Sequence, residues 1–242
     1  MAPAVPVEVS DDRPAGQPEQ SADRVGPDIV VLSFPSRREL VRRVPRLVLG
    51  ILLLGMGIAP VIDAELGVAP WDVFHQGLAD LTGLSFGLVT VLVGLVVLLT
   101  WIPLRQRMGL GTIVNTLTLG FVINVGLAVI PHVESLPVRW AMLLGGIVVS
   151  AAGMALYIGA GLGPGPRDGL MTALAARGHP LWLVRTVIEV VVLAAGLALG
   201  GNVGIGTVLF AFGIGPVGHW FLARFHLGVG GVDPDPTATI GE

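Results

Sequence analysis

The sequence predicts an all-α fold: a polytopic membrane helix bundle with six long transmembrane helices and two short re-entrant or interfacial helices, built from two inverted repeats. Three observations carry that prediction: apolar runs of spanning length, the placing of arginines between them, and a motif that recurs at a constant spacing. Of 242 residues, 53% are hydrophobic and 13% charged, with a mean hydropathy of +0.81. Soluble domains carry about 25% charged residues, so there is too little charge here to cover a water-facing surface.

Long apolar segments fall at about 47–65, 84–103, 109–131, 139–161, 180–200 and 204–223. Each is near the length of about 20 residues that crosses a hydrocarbon core of about 30 Å. Two shorter segments, about 67–82 and 163–178, follow the first and fourth spans. Ahead of the spans, residues 1–36 contain Pro3, Pro6, Pro14, Pro18, Pro27 and Pro35, scattered acids and no hydrophobic periodicity. This composition predicts a disordered tail, and no basic start precedes an apolar stretch as in a signal peptide. Residues 37–46 form a basic juxtamembrane segment containing Arg37, Arg38, Arg42, Arg43 and Arg46. A cytoplasmic topogenic anchor is the first expectation for it, and a specific anionic-lipid site the alternative. Residues 47–131 and 139–224 then make two membrane repeats, followed by a short C-terminal tail, 225–242.

Arginine sets the orientation, because cytoplasmic loops are enriched in basic residues. With the N-terminal tail in the cytoplasm, the 66–83 connection lies outside; it holds Asp72 and Asp80 and no arginine. Arg105, Arg107, Arg167, Arg177 and Arg224 all fall inside, and only Arg139 breaks the pattern. Both termini are therefore expected in the cytoplasm.

The repeat emerges when the halves are compared. Leu66-Gly67-Val68-Ala69-Pro70-Trp71-Asp72 aligns with Leu162-Gly163-Pro164-Gly165-Pro166-Arg167-Asp168 at an offset of 96. The same offset pairs Gly50 with Gly146, Gly57 with Gly153 and Thr90 with Thr186. One deletion later, Gly109-Leu110-Gly111-Thr112 meets Gly204-Ile205-Gly206-Thr207, and Gly120 meets Gly215. Three crossings per unit is an odd number, so the second unit must be inserted upside down, an arrangement common among secondary transporters. Were the short segments also to cross, the repeats would be parallel. The arginines in the second short segment, against none in the first, argue for opposite sides.

The shared Leu-Gly-x-x-Pro-x-Asp motif has a physical logic. Glycine permits a tight turn, and proline suits the first turn of a helix because its missing amide hydrogen would be unpaired there anyway. Aspartate two residues on sits where the helix dipole favours negative charge. Pro70 and Pro166 are thus expected to open short helices with Asp72 and Asp168 in their first turns. The aspartates serve either as caps of a structural turn or as part of a solute or ion pathway.

The Gly67-x-x-Pro70-Trp71-Asp72 stretch, Thr82-Gly83-Leu84-Ser85-x-Gly87 and Gly109-x-Gly111-Thr112 resemble the YczE/YitT-like bacterial integral membrane proteins. The resemblance covers roughly residues 47–225. It implies the fold and a bacterial inner-membrane location, but no defined activity. The second repeat departs from the motif in carrying Arg167 where the first has Trp71, and the long N-terminal tail lies outside it.

Ionisable residues within a span are costly and commonly functional. Glu189 lies 9 residues after Pro180, roughly 13–14 Å along a helix and so near mid-bilayer. Arg185 stands four residues earlier on the same face and can pair with it. Their counterparts Val89 and Val93 are apolar. The pair is either a neutralised structural bridge or a coupling site. Asn124 and His219 correspond at an offset of 95 and suit interhelical hydrogen bonding, while Gly50, Gly57, Gly146 and Gly153 suit close helix packing.

The chain has no cysteine, and all 14 of its basic residues are arginine, which removes thiolate and lysine Schiff-base chemistry. His75, His132, His179, His219 and His226 show no ligand spacing on a shared helix, so no metal is expected. No cofactor motif, nucleotide loop or basic nucleic-acid-binding domain is present. An intramembrane enzyme is not expected, since no His-Glu-x-x-His, Ser–His pairing or close intramembrane aspartate dyad is visible. The leading expectation is a small-solute transporter or permease driven by an ion or proton gradient, with Asp72, Arg167, Asp168, Arg185 and Glu189 lining or gating the route. The alternative is a non-transporting membrane-embedded regulator or partner-binding protein. Besides the bilayer and an unknown solute, the sequence is compatible with a homo-oligomer.

Overall fold

The computed structural model describes residues 37–225; the expected N-terminal tail, 1–36, and the expected C-terminal tail, 225–242, apart from Phe225, lie outside the described residues. The described chain is all helical: α1 (Arg37–Asp63), α2 (Pro70–Thr82), α3 (Phe86–Leu104), α4 (Leu110–Val129), α5 (Leu136–Gly159), α6 (Pro166–Ala175), α7 (Leu181–Ala198) and α8 (Ile205–Phe225). Six of these helices, α1, α3, α4, α5, α7 and α8, are long and apolar enough to cross a membrane. The basic segment 37–46 is continuous with α1 rather than separate from it, even across Pro45. Helices α2 and α6 have 13 and 10 residues, about 20 and 15 Å at 1.5 Å per residue, and are too short to span.

Helices α1 and α5 form the spine. Gly50 packs against Gly153, and Gly57 against Gly146, so the two helices run antiparallel. The backbones approach so closely that a Cβ on Gly50 would lie 2.9 Å from the Gly153 carbonyl oxygen. One on Gly146 would lie 2.6 Å from that of Gly57. In lipid, helix association rests on such close packing more than on hydrophobic burial, which favours small residues at the seam. Exchanging each glycine for its partner at offset 96 turns the first contact into the second. Helix α4 packs on α1, and α8 on α5.

The short helices are exchanged between the halves: α2 packs on α7, and α6 on α3. The two glycine motifs found separately in the sequence tie this exchange together. Gly111 N–H donates to the Leu162 carbonyl at 2.7 Å, and Gly206 N–H donates to the Leu66 carbonyl at 2.7 Å. Gly67 and Gly163 have φ of +106° and +116°, a backbone region that side chains with a Cβ rarely adopt. Arg139, the exception to the arginine pattern, holds the end of α1: its Nε donates to the Ala64 carbonyl at 2.6 Å and its Nη2 to Glu65 at 3.2 Å.

Candidate functional site at the meeting of the two short helices

As the motif predicts, Pro70 and Pro166 open α2 and α6, and Asp72 and Asp168 lie in the first turns. The fold brings those two first turns together. Each helix N-terminus carries the equivalent of about half a positive charge, so two of them side by side require compensating anions, and the aspartates supply them. Arg167 reaches across to Asp72, its Nη2 donating to Oδ1 at 3.4 Å. Its guanidinium carbon lies 5.2 Å from the Trp71 ring centroid, so the residues at this one matching position of the two motifs stack on each other.

Around this pair lies a polar network. His75 follows Asp72 by three residues, and its Nδ1 is 3.5 Å from Asp72 Oδ1 and 3.2 Å from Arg167 Nη2. A guanidinium can only donate, so Nδ1 accepts in the shorter contact. The Thr90 hydroxyl lies 3.3 Å from the same nitrogen and donates to the Phe86 carbonyl at 3.0 Å. On the other side, the Tyr157 hydroxyl donates to Asp168 Oδ2 at 2.6 Å and accepts from the Gly165 N–H at 3.2 Å. Trp101 Nε1 donates to the Pro166 carbonyl at 3.2 Å, which anchors the start of α6 on α3. Asp72 and His75 are 2% and 1% exposed, while the Arg167 side chain is 29% exposed, so the network runs from the interior to a part-exposed guanidinium.

The network borders a cavity of about 140 Å³, similar in size to an engineered cavity of about 150 Å³ in another protein that admits benzene. Every described helix except α7 contributes to its wall: Leu54 and Ile58 from α1, Trp71 and Asp72 from α2, Thr90, Val93, Gly94 and Val97 from α3, Asn115, Thr116 and Leu119 from α4, Met154 and Tyr157 from α5, Arg167 and Asp168 from α6, and Phe210 and Ile214 from α8.

Of the residues singled out in the sequence, Pro70, Trp71, Asp72, Pro166, Arg167 and Asp168 converge here, and Gly67 and Gly163 lie in the ties that position them. Arg185 and Glu189 do not. They pair with each other at 3.0 Å along α7, with side chains 49% and 24% exposed, away from the cavity. Asn124 joins α4 to α3, its Oδ1 accepting from Gly87 N–H at 2.9 Å and its Nδ2 donating to Ser85 Oγ at 3.0 Å. His219 is exposed on α8. Among the described residues, no cluster of three or more His, Asp or Glu side chains could hold a metal ion. Sequence reasoning missed His75, Asn115 and Tyr157. The first carried a usable signal, standing one helical turn after Asp72.

These features define a polytopic membrane protein, all helical over the described residues, in which two non-spanning helices meet, N-terminus to N-terminus, at the charged edge of a largely apolar cavity. Comparison with known proteins places it further. A family of unknown function, DUF6198, matches residues 41–223, and the chain belongs to that family. An uncharacterized protein of Haemophilus influenzae is 38% identical over 73% of this chain and 81% of its own length. The uncharacterized membrane protein YczE of Bacillus subtilis is 32% identical over 72% and 83%, in keeping with the YczE-like motifs. The uncharacterized protein YyaS of Bacillus subtilis is 27% identical over 66% and 83%. No solved structure matches.

Proposed function

We propose that the chain is a small-solute permease of the bacterial inner membrane, that its solute occupies the central cavity, and that an ion or proton gradient drives it. The observation that carries this is the convergence of two half-helix N-termini on a cavity lined by Asp72, Arg167 and Asp168, with buried His75 behind Asp72. Discontinuous helices whose ends face a mid-membrane site are the recurring binding architecture of secondary transporters. The halves are read as inverted repeats. The antiparallel α1–α5 crossing between corresponding helices supports this, as do the matched Gly111–Leu162 and Gly206–Leu66 bonds. The arginine distribution supports cytoplasmic termini. Alternating access would then be a rocking of one half against the other around Arg167–Asp72.

The test is flux in proteoliposomes across a panel of labelled small solutes under an imposed proton or sodium gradient. Gradient-dependent accumulation that Arg167→Gln abolishes is expected. Absence of accumulation across the panel, with folded protein verified in the same vesicles, would count against a permease.

A second reading, a non-transporting membrane regulator, draws on α7. Only 6% of its apolar window is buried, and it displays the Arg185–Glu189 pair outward, a face suited to another membrane helix.

A further inference from the structure

The charge of the ligand can be read from the groups around the cavity; this step rests on taking that cavity as the solute site. The hydroxyls of Thr90 and Thr116 each donate to a carbonyl oxygen within the protein. Other groups are left open. Asn115 is 4% exposed and lines the cavity, and its amide makes no hydrogen bond. Trp71 is 7% exposed and lines the same cavity, and its indole N–H finds no acceptor. Each aspartate keeps one oxygen open as well: Asp72 meets Arg167 and His75 through Oδ1, and Asp168 meets Tyr157 through Oδ2. Buried polar groups are paired in the great majority of cases, so each exception calls for an explanation.

The open groups are of both kinds. An indole N–H only donates, a carboxylate oxygen only accepts, and a carboxamide does both. A ligand that meets them carries at least one donor and one acceptor. Charge decides whether that ligand is an ion. Asp72 and Asp168 bring two negative charges to the cavity edge and Arg167 one positive charge, while the two helix N-termini supply about half of one each. His75 accepts from Arg167 through Nδ1 and is neutral. The edge is therefore balanced as it stands, and a further unpaired charge is costly in such surroundings. An anion finds no two-point partner, because both planar edges of a guanidinium include Nη2, which already faces Asp72 and His75. An ammonium reaches the open aspartate oxygens but sits against Arg167 and two helix N-termini. A zwitterion meets both objections. A carboxamide meets neither: its N–H groups suit the aspartate oxygens, and its carbonyl suits the Trp71 or Asn115 N–H. Beyond these groups the wall is apolar: Leu54, Ile58, Val97, Leu119, Phe210 and Ile214.

We infer that the cavity binds a small uncharged molecule whose polar end both donates and accepts hydrogen bonds, as a primary carboxamide does. That end meets Asn115, Trp71 and the open oxygens of Asp72 and Asp168, and a short apolar body lies among the apolar side chains of α1, α4 and α8. The cavity volume limits the body to a few carbons.

The test is calorimetric titration of the full chain in lipid nanodiscs with matched four-carbon probes: butyramide, butyrate, butylamine and the zwitterion 4-aminobutyrate. Saturable butyramide binding, at least tenfold tighter than any charged probe, is expected. Asn115→Leu should weaken butyramide about tenfold, the loss of a buried hydrogen bond. It should still unfold at or above the parent temperature, because the Asn115 amide bonds nothing within the protein; a purely structural role would instead lower it. Asp168→Asn keeps the shape and removes one negative charge, so butyrate should then bind at least as tightly as butyramide. A charged probe binding the parent chain as tightly as butyramide would overturn the assignment. So would the absence of butyramide binding to folded protein, Asn115→Leu leaving it unchanged, or Asp168→Asn leaving the order of the probes unchanged. Butyramide that binds but is not moved across proteoliposomes would sink the permease and leave the ligand class standing; gradient-driven flux of a charged probe without butyramide binding would do the reverse.

Discussion

Helices α3 and α7 are the third helices of their halves, and they are packed in opposite ways. Helix α3 is pressed onto α4 at a glycine crossing, where a Cβ on Gly87 would lie 1.9 Å from the Gly120 carbonyl oxygen. Asn124 bridges the same seam to Gly87 and Ser85. The corresponding residues of the second half are Leu183, Gly215 and His219. There α7 and α8 scarcely touch, a Cβ on Gly215 would meet nothing within 4 Å, and both Leu183 and His219 are exposed. A third of the apolar window of α3 is buried, 33%, against 6% for α7. A leucine cannot enter a seam that closes only over glycine, so sequence duplication does not entail duplicated packing. The locked seam helps to wall the cavity; the open one carries the outward-facing ion pair.

This contrast can be broken at three depths. The largest effect is expected where charge is buried beside α3. Arg167→Leu takes the cation from Asp72, 2% exposed; with Arg167 itself 29% exposed, the loss should be about 3 kcal/mol, the lower end of the penalty for removing one partner of a buried pair. Replacing both Arg185 and Glu189 by leucine on α7 should change stability by no more than about 1 kcal/mol. Unfolding of the purified variants in mixed detergent micelles measures both, and comparable losses would contradict the assignment of interior and surface pairs.

Next come the seams. Gly120→Ala forces α3 and α4 apart, since its Cβ would lie 2.1 Å from the Gly87 carbonyl oxygen; overpacking of this kind costs about 1–3 kcal/mol. Gly215→Ala, the matching change in the open seam, should be neutral or stabilising by up to about 1 kcal/mol through helix propensity. A loss at Gly215 as large as at Gly120 would show that α7 and α8 close together in the folded protein. The smallest effect is expected from Asn124→Ala, which removes two hydrogen bonds at about 1 kcal/mol each at most. Against it, His219→Ala should lie within the error of the same measurement.

Much of this architecture was legible in the residues, and the rest was hidden for definable reasons. The span expected at 84–103 is Phe86–Leu104, and that at 180–200 is Leu181–Ala198, because hydropathy and length are local properties. Proline and aspartate marked the starts of α2 and α6 for the same reason. The partnership of Gly-x-Gly-Thr with the Leu-Gly turn of the other half was not legible, since nothing local says which halves exchange elements. Asn115 and Tyr157 lie 43 and 85 residues from the Asp72 they help to surround, and only packing unites them. The outward facing of Glu189 was hidden as well: α7 is apolar nearly all round, so no periodic stripe distinguishes its inner face.

The relation between the halves is tested most directly by topology. The chain has no native cysteine, so Leu81→Cys and Ala176→Cys, exposed at the ends of α2 and α6, can each be probed with a membrane-impermeant maleimide. In intact cells the cysteine at position 81 should label and that at 176 should be protected, with the pattern reversed in inside-out vesicles. Labelling of both from the same side would make the halves parallel and contradict a cavity shared by inverted short helices.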